Sequence, residues 1–280
     1  MAGRPSTAER DTLRAIEPAF TVYRASGGGP LLLVCEHASF HVPARYRHLG
    51  LSPEALQRHI GWDLGACALA RALADTLDSP LVHATQSRLL LDLNRDPTAA
   101  DSIPCESDGT SIPGNLQLSD DERAARRRWL YEPFHAAIEH QLRARMAQGR
   151  LTAVVSIHSF TPVLAGFSRP WQVGVLSDRD RRLADALIAE LGASGEWCVG
   201  DNQPYAPADG VYHSIKRHGQ DHGLLCAMLE VRNDLLADDA AVQRWCDTLA
   251  RALTQAISRC DAVQAGSGAS GVGAKSGGRR

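Results

Sequence analysis

Apolar and polar positions divide the chain into segments of two kinds. The run LLLVCEH at 31–37 follows three glycines and ends in polar residues, and LTAVVSIHS at 151–159 has the same shape. Short runs of adjacent apolar residues predict strands buried on both faces. PLVHATQSRLLLDLN at 80–94 reads as one or two more strands, and LLCAMLEVRND at 224–234 as another. Helical spacing of apolar residues predicts helices over 52–77, 120–149, 178–192 and 238–258. Ser52 with Pro53 supplies a start signal for the first, and Asp78-Ser79-Pro80 a stop. Two polar segments, 96–115 and 205–223, read as loops, the first too long for a simple connector. Strands alternating with helices predict one α/β domain over 1–262, a three-layer sandwich around a mixed, largely parallel sheet. The Gly/Ser-rich tail 263–280 is expected to be disordered.

Composition narrows the function classes. The chain has 280 residues, 44% apolar and 22% charged, with a formal net charge of -2. That balance gives no pull toward nucleic acid or an anionic membrane. The cluster RAARRR at 123–128 precedes an apolar helical pattern and reads as the solvated start of that helix. Seven cysteines stand at scattered positions without a CxxC pair, against both a disulfide framework and a thiolate zinc cluster. The segment MAGRPSTAERDT lacks an apolar signal core, and no run approaches the length of a membrane span. A cytoplasmic protein is expected.

In an open α/β sheet, reactive groups gather at the carboxyl ends of strands. Here the expected strand at 31–36 ends in Glu36-His37, and that at 88–93 in Asn94-Arg95-Asp96. The strand at 151–157 ends in His158-Ser159, and that at 224–229 in Glu230-Val231-Arg232. Two imidazoles and a carboxylate can hold a catalytic zinc and leave a position for water. Asp63, in HIGWDLGA, is out of place in an apolar helical context and is the best free carboxylate; pairing with Arg58 or His59 is the alternative. No HExxH, GxSxG or Walker pattern is present.

The stretches VCEHASFHVP (34–43), HIGWDLGA (59–66), SRLLLDLNRDP (87–97), SDGTSIPGN (107–115), SIHSFTP (156–162) and LEVRND (229–234) together resemble the N-formylglutamate amidohydrolase family. That family's fold is related to the zinc carboxypeptidases. The resemblance implies a zinc-dependent hydrolase of a linear amide, acting on a small N-acyl amino acid such as N-formyl-L-glutamate. It implies His37 and His158 as histidine ligands and Glu230 as general base and then general acid. The carboxypeptidases place their ligand carboxylate three residues after the first histidine, where this chain has Phe40. Asp63 must then serve, or Glu36 if its loop allows. Arg95 with Asn94 matches the pair that clamps a substrate carboxylate, and Arg88 adds a charge near the scissile carbonyl. Tyr212 and His218 are expected to contact substrate from the 205–222 loop. CEHA replaces the family's common PHSG turn and adds a charge beside the first ligand, which leaves the acyl group and side chain of the substrate open.

Three rival readings remain at this level. A metallocarboxypeptidase would use the same arginine clamp and glutamate, but the chain is short for an open peptide groove. A non-catalytic carboxylate-binding protein would have no need of Glu230 beside both histidines. A serine hydrolase built on Ser159 or Ser39 lacks a nucleophile-elbow signature.

Overall fold

The computed structural model describes residues 17–150 and 152–269, the last seven by backbone alone. In chain order the first elements are β1 (Phe20–Tyr23), β2 (Leu31–Cys35), α1 (Pro53–Leu56), α2 (Ala66–Thr76) and β3 (Leu81–Ala84). A small hairpin, β4 (Glu106–Ser107) and β5 (Thr110–Ser111), precedes α3 (Asp120–Arg126), a π-helical turn and α4 (Glu132–Ala147). Then come β6 (Ala153–Phe160), a second hairpin of β7 (Val163–Leu164) and β8 (Phe167–Ser168), β9 (Val173–Leu176), α5 (Arg182–Gly192) and β10 (Val199–Asp201). The chain closes with α6 (His213–His218), β11 (Cys226–Arg232) and α7 (Asp239–Ala269).

Seven strands form one sheet in the order β1-β3-β2-β6-β11-β9-β10. The four central strands β3, β2, β6 and β11 run parallel, as do β9 and β10, while β1 and β9 pair antiparallel to β3 and β11. Both faces are covered, which is why the central strands read as unbroken apolar runs. Along β2, Leu31, Leu33 and Cys35 pack with α2, α5 and α7, while Leu32 and Val34 pack with Phe134, Ile138 and Leu142 of α4. The architecture is the expected three-layer sandwich around a mixed, largely parallel sheet.

Several expected elements differ in extent. The helix expected over 52–77 is two helices, with a turn at 57–65 between them. Gly65 enters α2 at φ +78°, and a Cβ there would lie 2.5 Å from Leu236 Cβ, so the break needs glycine. Only Leu81–Ala84 of the 80–94 stretch is strand; 85–94 is irregular. Its leucines 89, 90, 91 and 93 are buried all the same. Side chains take the place of ladder partners: Ser87 Oγ accepts from Leu89 N, Asp92 Oδ1 accepts from Asn94 N, and Asn115 Nδ2 donates to Leu89 O. The 96–115 and 205–223 loops carry their own short elements, β4–β5 and α6. Strands β1, β9 and β10, three or four residues long, are further members of the sheet beyond those expected. The backbone of 263–269, expected in the disordered tail, continues α7, since extending a formed helix needs no new nucleus. The rest of that tail, 270–280, lies outside the described residues.

Candidate active site

The parallel order brings the carboxyl ends of β2, β6 and β11 side by side. His37 follows β2, His158 sits near the end of β6, and Glu230 on β11 is in register with His158. Asp63 arrives from the turn before α2, where its amide donates to His37 O at 2.9 Å and its own carbonyl accepts from Ala66 N. Asp63 therefore does not pair with Arg58 or His59. Its Oδ2 lies 2.7 Å from His158 Nδ1 and 3.3 Å from His37 Nδ1. Ligand atoms of His37, Asp63 and His158 all fall within 4.8 Å of one another, and all three residues are buried.

The far nitrogens of both rings meet further carboxylates. His37 Nε2 lies 2.7 Å from Asp92 Oδ1, and His158 Nε2 lies 3.1 Å from Glu36 Oε2, though not aligned for a hydrogen bond. Glu36 Oε2 also accepts from Ser156 Oγ at 2.6 Å. Glu36, weighed as a ligand from sequence, thus stands behind His158 instead of within the three-atom group. A carboxylate behind an imidazole fixes the ring and makes its near nitrogen a better donor to a metal. Arg88 braces the same framework, donating to Asp92 Oδ2 at 2.6 Å and to Asp63 Oδ1 at 3.3 Å.

Charges in this cluster hold each other. Burial alone would raise the carboxyls of Asp63, Asp92 and Glu36, but His37, His158 and Arg88 outweigh it, and Glu36 comes down to about 2. Burial likewise works against the His37 and His158 cations, yet the carboxylates around them raise both rings. Glu230 is the exception. Burial pushes its carboxyl up to about 7, and its Oε2 has no hydrogen-bond partner.

His37, Asp63, His158 and Glu230 line a cavity of about 240 Å³ with Arg88, Asn94 and Arg95. Arg95 Nη1 donates to Asp209 O, its Nε lies 3.4 Å from Asp101, and the guanidinium spans the wall between this cavity and an outer one. Gly210 makes that path possible: φ is +76°, and a Cβ would sit 2.5 Å from Arg95 Nη1. Asn94 is engaged at both ends, donating to Val211 O and accepting from Ser214 N at 3.0 Å, so it ties the 205–223 segment to the cavity.

Two expected substrate contacts are placed elsewhere. Tyr212 is buried against the outer cavity, with its hydroxyl toward Cys226. His218 is buried against His135, and burial holds both rings below the usual histidine range, His218 at about 4. Neither borders the cavity that holds Glu230: His218 is among the buried residues of α6, and Tyr212, just before that helix, lines the outer cavity. The tyrosine that does line the cavity with Glu230 is Tyr205, whose hydroxyl accepts from buried Arg169 at 3.1 Å. On the rim, His59 Nε2 lies 3.3 Å from Asp108 at the tip of the β4–β5 hairpin. Asp92 was the readable omission: an acid inside LLLDLN is as anomalous as Asp63 in HIGWDLGA. Nothing in the local sequence singles out Tyr205 or Arg169.

Fold and site together define a mixed α/β sandwich with a buried His/Asp/His group and a separate carboxyl at the carboxyl edge of its sheet. Residues 29–237 match the N-formylglutamate amidohydrolase family, and the chain belongs to that family of amidohydrolases. The gene product Atu2144 from Agrobacterium tumefaciens superposes with a TM-score of 0.86 at 41% identity, covering 88% of this chain and 98% of that one. N-formylglutamate amidohydrolase from Ralstonia eutropha JMP134 shares the fold, with a TM-score of 0.61 at 20% identity over 89% of this chain and 99% of its own. No curated protein sequence matches the chain. Among the described residues, no helix is long and apolar enough to cross a membrane.

Proposed function

We propose that this protein hydrolyses the amide bond of a small N-acyl amino acid, of the N-formyl-L-glutamate kind, with one zinc ion held by His37, Asp63 and His158. The observation that carries this reading is the unpartnered Glu230 carboxyl, buried in the same cavity as that ligand group. Two imidazoles and a carboxylate suit zinc, and the carboxylates behind both rings are the partners such ligands need. When bound, the ion supplies Lewis acidity toward the carbonyl and makes water a stronger acid.

The protein's own groups then divide the work. Glu230 takes a proton from the attacking water and returns it to the leaving amine. Arg88, positioned by Asp63 and Asp92, faces the cavity and stabilises negative charge developing on the carbonyl oxygen. Tyr205 accepts from Arg169, so its own hydroxyl hydrogen is left for an acceptor in the cavity. Arg95 binds the substrate carboxylate through Nη2, since Nη1 donates to Asp209 O and Nε lies near Asp101, and Asn94 adds its second amide hydrogen. A cavity of about 240 Å³ is small beside the roughly 300–1,000 Å³ of common ligand sites, which favours an acylated amino acid over a peptide.

The test is hydrolysis of N-formyl-L-glutamate and related N-acyl amino acids by zinc-loaded, untagged protein, followed as release of free amino acid. Glu230→Gln is expected to lose about 10²–10⁴-fold in kcat, the usual contribution of general acid–base catalysis, with zinc content unchanged. An unimpaired Glu230→Gln enzyme, or no turnover of any N-acyl amino acid, overturns the reading.

A further inference from the structure

A second group of ligating side chains lies on the α4 and α6 face, outside the catalytic cavity. Three hydrogen-bonding facts fix its chemistry. His135 Nε2 lies 3.0 Å from Leu93 O, a pure acceptor, so that nitrogen carries the proton. In the neutral ring Nδ1 is then an acceptor, and it takes the Nε2 hydrogen of His218 at 2.8 Å. His218 is therefore left with a bare Nδ1 lone pair. That atom is buried in a residue only 1% exposed and has no hydrogen-bond partner.

The bare nitrogen faces another acceptor. Glu139 Oε2 lies 3.8 Å away, beyond hydrogen-bonding reach, while Glu139 Oε1 is occupied by Arg143 Nε at 2.9 Å. His222 Nε2 approaches the same Oε2 at 3.6 Å from the turn after α6, and its side chain is 37% exposed. An imidazole lone pair and a carboxylate oxygen held opposite each other repel unless something positive lies between them. Separations of this size suit atoms that share one small cation with bonds near 2 Å.

We propose that Glu139, His218 and His222 form a second divalent-cation site, of the zinc class, independent of the catalytic one. The donor set of two imidazoles and one carboxylate matches zinc, with water completing the coordination. Glu139 Oε2 stands within 3.8 Å of both imidazole nitrogens. The exposed His222 ring turns in to close the site. Binding would fasten α6 and the turn after it to α4. The segment leading into α6 carries Tyr205 and Val211 on the catalytic wall, and Ser214 holds Asn94, so the site stiffens that wall.

Zinc titration of untagged full-length protein tests this, using His158→Ala to remove the catalytic site. The His158→Ala protein is expected to retain about one zinc per chain, and His158→Ala/His222→Ala to retain none. Added zinc should raise the Tm of the first and leave the second unmoved. His222 is at the surface, so the double variant should fold like its parent, which circular dichroism checks. Loss of all zinc in His158→Ala alone overturns the second site, as does a zinc that persists through both His222→Ala and Glu139→Gln. A single zinc removed by His222→Ala and untouched by His158→Ala would support this site and overturn the catalytic one.

Discussion

His37, a proposed zinc ligand, illustrates how much of such a residue's character is set by its neighbours. Its Nδ1 faces Asp63, but its ring is aimed by Asp92, which grips Nε2 at 2.7 Å and holds Arg88 with its other oxygen. A neutral amide at that position keeps the shape and loses the charge that makes His37 a strong donor. Asp92→Asn is expected to weaken zinc binding about 10–100-fold, measured by competition with a chelating dye. An unchanged affinity would confine Asp92 to bracing Arg88. Glu36 lies 3.1 Å from His158 Nε2 without hydrogen-bond alignment and accepts from Ser156, so the acid in CEHA has a place in the fold outside the His37, Asp63 and His158 group.

Among the elements, the irregular 85–95 segment depends on groups from outside itself. Asn115, fully buried, donates to Leu89 O and Pro104 O and accepts from buried Arg126 at 2.8 Å. Removing it strands two carbonyls and one N–H of the Arg126 guanidinium away from water. Asn115→Ala is expected to cost about 2–3 kcal/mol, seen as a lower urea midpoint at unchanged slope. Strand β3 holds a pH-dependent group of its own. Burial keeps the His83 ring below its ordinary value of 6.5; its Nδ1 bonds Ala84 O, and Nε2 accepts from Arg71. As pH falls below that value the unfolded chain gains a proton that the folded one resists, so stability drops with pH and is constant above it. His83→Gln should flatten the acid-side slope of the urea midpoint against pH. Parallel wild-type and variant curves would remove His83 from the account.

At the scale of the molecule, a metal ion at the strand ends would join three parts of the chain: the end of β2, the turn before α2 and the end of β6. A ligand bound only by the folded state stabilises it by about 4 kcal/mol at a free concentration a thousand times Kd. Chelator-treated protein is therefore expected to melt several degrees lower in calorimetry and to recover on zinc addition. A Tm indifferent to chelator and zinc would mean that the folded state holds no ion at either group. The same geometry accounts for the charge balance of the site. Arg88, His37 and His158 sit against Asp63, Asp92 and Glu36, which leaves Glu230 as the one carboxyl without a cation of its own.

Local pattern determined the buried strands, the main helices and the layered α/β class, because burial on both faces writes unbroken apolar runs into LLLVC and AVVSI. It also marked His37, His158 and Glu230, since polar residues at the ends of such runs need a reason to be there, and Asp63 as an acid out of place in an apolar helical context. What the pattern could not carry was anything that depends on distant groups meeting. Asp63 reads as helical until Gly65 breaks the helix against Leu236, some 170 residues away in sequence. LLLDL reads as strand until Asn115 supplies a hydrogen bond, and Tyr212 reads as a site residue until the fold sets it on an outer cavity while Tyr205 lines the one that holds Glu230. Apolar periodicity is a local property of a chain, whereas hydrogen-bond partners and side-chain direction are fixed only when the layers close.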